Sequence, residues 1–103
     1  MGIGFNMRII KKQRLIDFWE RYPDTEQPLK AWYKETTKAR WKNPQRIKGQ
    51  YATASILQNG RVVFNVLGNN YRLVVSIRYD LGIVYIRFIG THKQYDNIDA
   101  QTI

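Results

Sequence analysis

The stretch VVFNVLGNNYRLVVSIRYDLGIVYIRFIGTHKQYD, Val62 to Asp96, decides the fold. Gly68-Asn69-Asn70 and Asp80-Leu81-Gly82 are turn signals that cut it into three strands. Side chains alternate between the faces of a strand, so Arg72, Val74, Ser76 and Arg78 share one side. Tyr71, Leu73, Val75, Ile77 and Tyr79 take the other, and this set reads as the buried one. On the next strand Val84, Ile86 and Phe88 are expected on the apolar face, with Tyr85 and Arg87 opposite, beside Arg72 and Arg78. The sheet is thus expected to turn cations to solvent. His92, Lys93 and Tyr95 follow Gly90 at the strand's end, where they would join those arginines. Such a group has the chemistry to hold and cleave a phosphodiester.

Upstream, Met7 to Ile10 resembles a short strand. From Lys11 to Tyr22 the apolar positions Leu15, Phe18, Trp19 and Tyr22 recur at helical spacing, and Pro23 stops the pattern. Asp24 or Thr25 suits the N-cap of a second helix, with Asp24 and Glu26 at its positive end and Pro28 tolerated in the first turn. Leu29, Trp32, Tyr33 and Thr36 mark its inner face, and Asn43-Pro44 is expected to end it, because the residue before proline is pushed out of the α region. Gln45 to Gly60 has no clean period and reads as an ordered loop ending in the Asn59-Gly60 turn. The order is β-α-α-β-β-β. The fold class is α+β: a small, mostly antiparallel sheet with two N-terminal helices on one face and the other face free for a ligand.

A chain of 103 residues supports one modest core, so residues 7–103 read as a single domain behind a patternless extension at 1–6. No apolar run approaches a membrane span, and MGIGFNMRIIKK lacks the apolar stretch of a secretory leader. Zero cysteines fit a reducing compartment, and a cytoplasmic, non-membrane protein is expected. Charge is more informative. The formal net charge is +9, and seven basic residues against one acid lie between Lys30 and Lys48. Lys30, Lys34 and Lys38 form an i, i+4, i+8 stripe whose mutual repulsion a polyanion would relieve. A solvated face is the plain alternative. Arg40, Trp41, Lys42, Arg46 and Lys48 just beyond favour RNA or DNA.

Other chemistries fit poorly. Four of the eight acids fall in Asp17 to Glu26, which leaves too few near the sheet for a two-metal nuclease. One histidine without cysteine makes no zinc site, and no nucleotide-binding glycine motif is present. Neither metal nor cofactor is expected.

Arg61 to Val75, Val84 to Ala100, DFWERYPDTEQPLKAWY (Asp17 to Tyr33) and WKNPQRIK (Trp41 to Lys48) closely resemble the HigB toxin family, within the RelE-like superfamily. The resemblance spans nearly the whole chain from Met7. It implies a small sheet with two N-terminal helices and the activity of an mRNA interferase that cuts mRNA in the ribosomal A site. It further implies a cognate HigA-like antitoxin with a helix-turn-helix region, contact with ribosomal RNA, and DNA binding only through the toxin-antitoxin complex.

Metal-independent RNA cleavage uses the adjacent 2′-OH as nucleophile and needs a base, an acid and positive charge. A guanidinium stays protonated and its fork matches phosphate oxygens, so Arg72 is the first candidate to stabilise the transition state and Arg87 the second. The resemblance assigns the scissile phosphate to Arg72, since RelE-like toxins carry an arginine in the same Tyr-Arg-Leu context. His92 has the only side chain with an ordinary pKa of about 6.5, suited to proton transfer near neutrality. Several RelE-like enzymes place an arginine there, so phosphate contact is its other role. Lys93 and Tyr95 are alternative acids or bases, and Asp96 is a residue that could orient His92. One departure matters. RelE-type enzymes carry lysines on the strand before the Tyr-Arg-Leu turn, whereas Asn65 occupies the RNA-facing position here and accepts no proton usefully. Either His92 is the base or catalysis relies on the ribosome to align the mRNA. The rival from another class is a non-catalytic ribosome- or RNA-binding regulator. A DNA-binding repressor is weaker, for want of a recognition helix pair.

Overall fold

The structure, a computed structural model, describes residues 6–103. The expected extension at 1–6 therefore lies outside the described residues except for Asn6. In chain order the elements are β1 (Arg8–Ile10), α1 (Gln13–Arg21), a 3-10 turn (Pro23–Thr25), α2 (Glu26–Lys38) and α3 (Pro44–Gln50). Strands β2 (Ser55–Ile56), β3 (Arg61–Val66), β4 (Tyr71–Arg78) and β5 (Ile83–Thr91) follow, and a one-turn helix, α4 (His92–Tyr95), comes next. The sheet order is β1-β5-β4-β3-β2, antiparallel except where β1 runs parallel to β5. The α+β class and the helices-then-strands order stand.

The main core forms where Leu15 of α1, Leu29 and Trp32 of α2 and Ile47 of α3 meet Val62, Phe64, Leu73, Val75 and Ile86 of the sheet. Each helix presents apolar residues at three- or four-residue spacing and each strand at two, which makes one buried interface from two periods. Burying a leucine or phenylalanine here contributes about 1.5–3 kcal/mol before entropy. Trp41, expected near the nucleic-acid surface, is only 3% exposed. It stacks on Phe64, and its Nε1 donates to Gln50 Oε1 at 3.1 Å.

Several readings need correction. Gln45 to Gly60 is not a loop, since it holds α3 and β2. Asn43-Pro44 starts a helix rather than ending one: α2 already stops at Lys38, and the Asn43 side chain accepts from Arg46 N with proline at the first helical position. Phe88 leaves the main core. A bulge puts Val74 opposite Phe88 and Val75 opposite Ile86, so Arg87 is the extra residue and the alternation flips beyond it. Ile89 then takes the core side, while Phe88 joins Val63, Val74 and Ala100 in a second cluster on the opposite face. That face is consequently not free. Residues 98–103 fold over it, Ile98, Ala100 and Ile103 cover its middle, and Arg61 Nη2 donates to Ile103 O at 2.5 Å. Val74 and Ser76, expected among exposed cations, are buried.

The β3–β4 turn carries strain. Leu67 and Gly68 both lie in the left-handed region, with φ of 51° and 64°. A leucine there costs roughly 1–2 kcal/mol, which asparagine largely avoids. Leu67→Asn is therefore expected to stabilise the fold by about 1 kcal/mol, read as a raised urea midpoint at unchanged slope.

Candidate active site

The end of β4 and β5 that faces the β3–β4 turn gathers the basic residues. In register, Arg72 sits between Asn65 of β3 and Gly90 of β5. Its Nη1 donates to Asn69 O at 2.9 Å and Tyr71 O at 3.2 Å, so two carbonyls fix the guanidinium plane. Its Nη2 lies 3.1 Å from His92 Nδ1. A guanidinium only donates, which makes Nδ1 the acceptor and puts the neutral imidazole's proton on Nε2. Nε2 in turn faces Asp96 Oδ2 at 3.5 Å, an ion-pair distance once the ring is protonated.

The local sequence explains this placement. Thr91 caps α4: its hydroxyl accepts from Gln94 N at 3.1 Å while Gln94 Oε1 accepts from Thr91 N at 2.9 Å, a reciprocal capping box. His92 N donates to Asn70 O at 3.0 Å, which ties the helix to the turn. A Cβ at Gly90 would stand 2.5 Å from Phe88 Cζ and 2.7 Å from Gln94 Oε1, so a larger residue there would displace both side-chain ends, the Gln94 arm of the capping box included. Tyr71 anchors the other side. Its hydroxyl donates to the Asp24 carboxylate, and desolvation together with that carboxylate pushes the phenol up, away from proton-transfer duty.

Asn69, Asn70, Arg72, Thr91, His92 and Lys93 line one open cleft. Tyr95 does not line the cleft itself but adjoins it through Arg72, whose guanidinium lies 5.8 Å from its ring centroid, and Phe88 packs near the same ring. Arg72, His92, Lys93 and Tyr95 thus come together. Asn65 lies directly across the ladder from Arg72. Asn69, Asn70, Thr91 and Gln94 escaped the sequence reading. The Thr-x-x-Gln spacing of the capping box was the available signal.

Arg87 does not join the cleft. It lies beside Ser76, four residues along β4 and about 13 Å from Arg72 at strand rise. There its Nε donates to Ser76 Oγ at 2.8 Å, its guanidinium covers Tyr85, and its carbonyl accepts from Arg14 Nη1. The basic segment also separates into parts. Lys30 pairs with Glu26 and lies over Trp19, and Lys48 donates to Ala52 O at 2.7 Å and Ala54 O at 2.8 Å, so both have structural partners. Lys34, Lys38, Arg40, Lys42 and Arg46 are exposed. Helix α2 packs on the sheet face opposite Arg72, starting near Tyr71 and ending where Ala39 O accepts from Met7 N, so Lys38 lies about 20 Å along the helix from its start. Stripe and cleft occupy different surfaces. Among the described residues, no group of three or more His, Cys, Asp or Glu side chains converges on a metal position, and no helix is long and apolar enough to cross a membrane.

An α+β sheet preceded by helices, with a guanidinium, an imidazole and an ammonium gathered at one strand end, defines a RelE-like fold with a cleft suited to a phosphodiester. The family model described as HigB_toxin, RelE-like toxic component of a toxin-antitoxin system, matches residues 25–98. The chain is 32% identical over 96 residues to the mRNA interferase toxin HigB of Escherichia coli (strain K12), spanning 91% of this chain and 92% of that protein. The mRNA interferase HigB of Escherichia coli O157:H7 and that of Shigella flexneri match over the same shares at 32% identity. The chain belongs to the HigB toxin family.

Proposed function

We propose that this chain is the toxin of a type II toxin-antitoxin module, an mRNA endoribonuclease that works on translating ribosomes in the bacterial cytoplasm, with residues 7–103 as one toxin domain. The observation that carries the reading is the 3.1 Å contact of Arg72 with His92 in an open cleft, within a chain of this family.

In the free protein Arg72 and His92 occupy each other. A scissile phosphate draws the guanidinium onto its non-bridging oxygens and leaves Nδ1 free to accept the 2′-OH proton. The O2′–P bond forms and the P–O5′ bond breaks, giving a 2′,3′-cyclic phosphate. His92 is the first choice for the base, and its imidazolium then meets Asp96. The departing O5′ takes a proton from Lys93 or Tyr95 and leaves as a 5′-OH. Arg72 stabilises the charge on the pentacoordinate phosphorane. Asn65 supplies an amide across from Arg72, which orients RNA without moving a proton. Neither metal nor cofactor has a step to perform.

Lys34, Lys38, Arg40, Lys42 and Arg46 are the docking surface for ribosomal RNA, on the far side from the cleft. Lys34→Glu with Lys38→Glu is expected to weaken ribosome binding at every mRNA sequence and to flatten its salt dependence by a slope of about 2, leaving cut positions unchanged. Sedimentation with ribosomes at varied salt reads this, and an unaltered slope removes the stripe from the interface. The partner is a HigA-like helix-turn-helix antitoxin, through which DNA is reached indirectly.

Induced expression tests the whole reading. Growth should stop with loss of full-length mRNA, and co-expressed antitoxin should restore both. Arrest with intact mRNA would favour the non-catalytic ribosome-binding regulator.

A further inference from the structure

The bulge that removes Phe88 from the main core also aims Arg87. Its Nε donates to the hydroxyl of Ser76, which is only 7% exposed, and its guanidinium lies 5.2 Å from the Tyr85 ring centroid. Hydroxyl and ring together hold the guanidinium plane. One N–H satisfies the serine, and the two Nη groups have no hydrogen-bond partner among the described residues. Bulges recur beside active sites, where they re-aim a side chain, and this one leaves an exposed guanidinium fork on the sheet face that carries Arg72.

Charge around Arg87 is uncompensated. Arg14 Nη1 donates to the Arg87 carbonyl at 2.9 Å, which brings a second guanidinium to the same residue from α1. The ion pairs among the described residues are Lys30–Glu26, Arg78–Asp80 and His92–Asp96, so neither arginine has a carboxylate partner. An anion would relieve their repulsion. The cover made by residues 98–103 leans toward β3, where Asn59 and Arg61 hold its carbonyls. On the β5 side Tyr85, Phe88 and Tyr95 stay partly exposed. The face therefore runs from the Arg72–Tyr95 pair past Phe88 to the Arg87–Tyr85 pair, two guanidiniums with aromatic rings between them.

We propose that Arg87 is a second phosphate clamp, which takes a backbone phosphate of the same mRNA strand about 13 Å from the Arg72 site, with bases lying on the Tyr95 and Phe88 rings between the two. The inference rests on the mRNA endoribonuclease reading and adds a subsite to it. Cations interleaved with aromatic faces fit single-stranded nucleic acid, because the forks take phosphate oxygens and every base presents a π face. A duplex is the poorer occupant. Its paired bases hide their faces and would leave Phe88 and Tyr95 without contact. The clamp lies outside the cleft, so Arg87 binds the strand and leaves the reacting atoms to Arg72 and His92.

Single-turnover cleavage on stalled ribosomes tests this, at varied toxin concentration and with mRNAs that carry one neutral methylphosphonate at each linkage flanking the cut in turn. For the wild-type toxin, one flanking methylphosphonate should raise the half-saturating toxin concentration about tenfold, while the saturated rate moves far less. Arg87→Gln should impose the same rise on the all-phosphate mRNA. That methylphosphonate should then cost the variant nothing more, the non-additivity of two groups in contact. A melting curve checks the folding of Arg87→Gln, and the methylphosphonate series reads the wild-type protein independently. Additive losses, or no sensitive flanking linkage in the wild type, overturn the clamp while leaving the cleavage reading intact. Equal weakening of Arg87→Gln on empty and on mRNA-loaded ribosomes would assign Arg87 to ribosomal RNA and overturn the proposal as well. No cleavage of the all-phosphate mRNA by the wild-type toxin would remove the endoribonuclease reading and the clamp together.

Discussion

Arg72→Ala is expected to slow ribosome-dependent mRNA cleavage by on the order of 10²–10³-fold, about 3–4 kcal/mol of transition-state stabilisation. The magnitude follows from preorganisation. Two carbonyls, Asn69 O and Tyr71 O, hold the guanidinium at the cleft wall before substrate arrives, so little reorganisation is left for the reaction step. Ribosome binding should persist, because the exposed lysines of α2 lie on the other side of the sheet. Arg72→Lys should recover little, since an ammonium matches neither the phosphate fork nor both carbonyls at once. Single-turnover cleavage on stalled ribosomes separates these effects. An Arg72→Ala toxin with normal turnover would displace the phosphate site from this cleft.

His92→Ala is expected to cost about 10²–10⁴-fold in the same assay, the range of a lost general base. A purely electrostatic role for His92 makes a different forecast. If the ring only contacts phosphate, His92→Arg should retain activity. If it moves a proton, His92→Arg should be as slow as alanine. The tautomer favours the second outcome, for Nδ1 already points its lone pair at the donor that substrate would draw away.

Much of this was legible in the sequence because residue spacing alone fixes it. The turns at Gly68 and Gly82 and the alternation along β4 suffice to place Arg72 and Leu73 on opposite faces. Two elements were hidden for physical reasons. Helix α3 is only seven residues long and buries one of them, Ile47, so it shows no helical stripe, and only Asn43-Pro44 as cap and first residue betrays it. The bulge at Arg87 leaves no composition signal, yet it moves Phe88 to the second cluster and changes which residues residues 98–103 can cover. The site divides the same way. Arg72, His92 and Lys93 share one cleft, with Tyr95 beside Arg72, because the Thr91 capping box starts α4 directly after β5 and the His92 N–H ties that helix to the β3–β4 turn. Arg87 was read from strand alternation and Lys48 from charge, and neither signal reports that one holds Ser76 and the other the carbonyls of Ala52 and Ala54.

The most direct test of the central claim is cleavage of a defined mRNA by purified toxin, with and without translating ribosomes, mapping both new ends. The expected result is ribosome-dependent cutting that leaves a 2′,3′-cyclic phosphate and a 5′-OH, and that Arg72→Ala and His92→Ala both lose. Intact mRNA on ribosomes that hold the toxin tightly would contradict it.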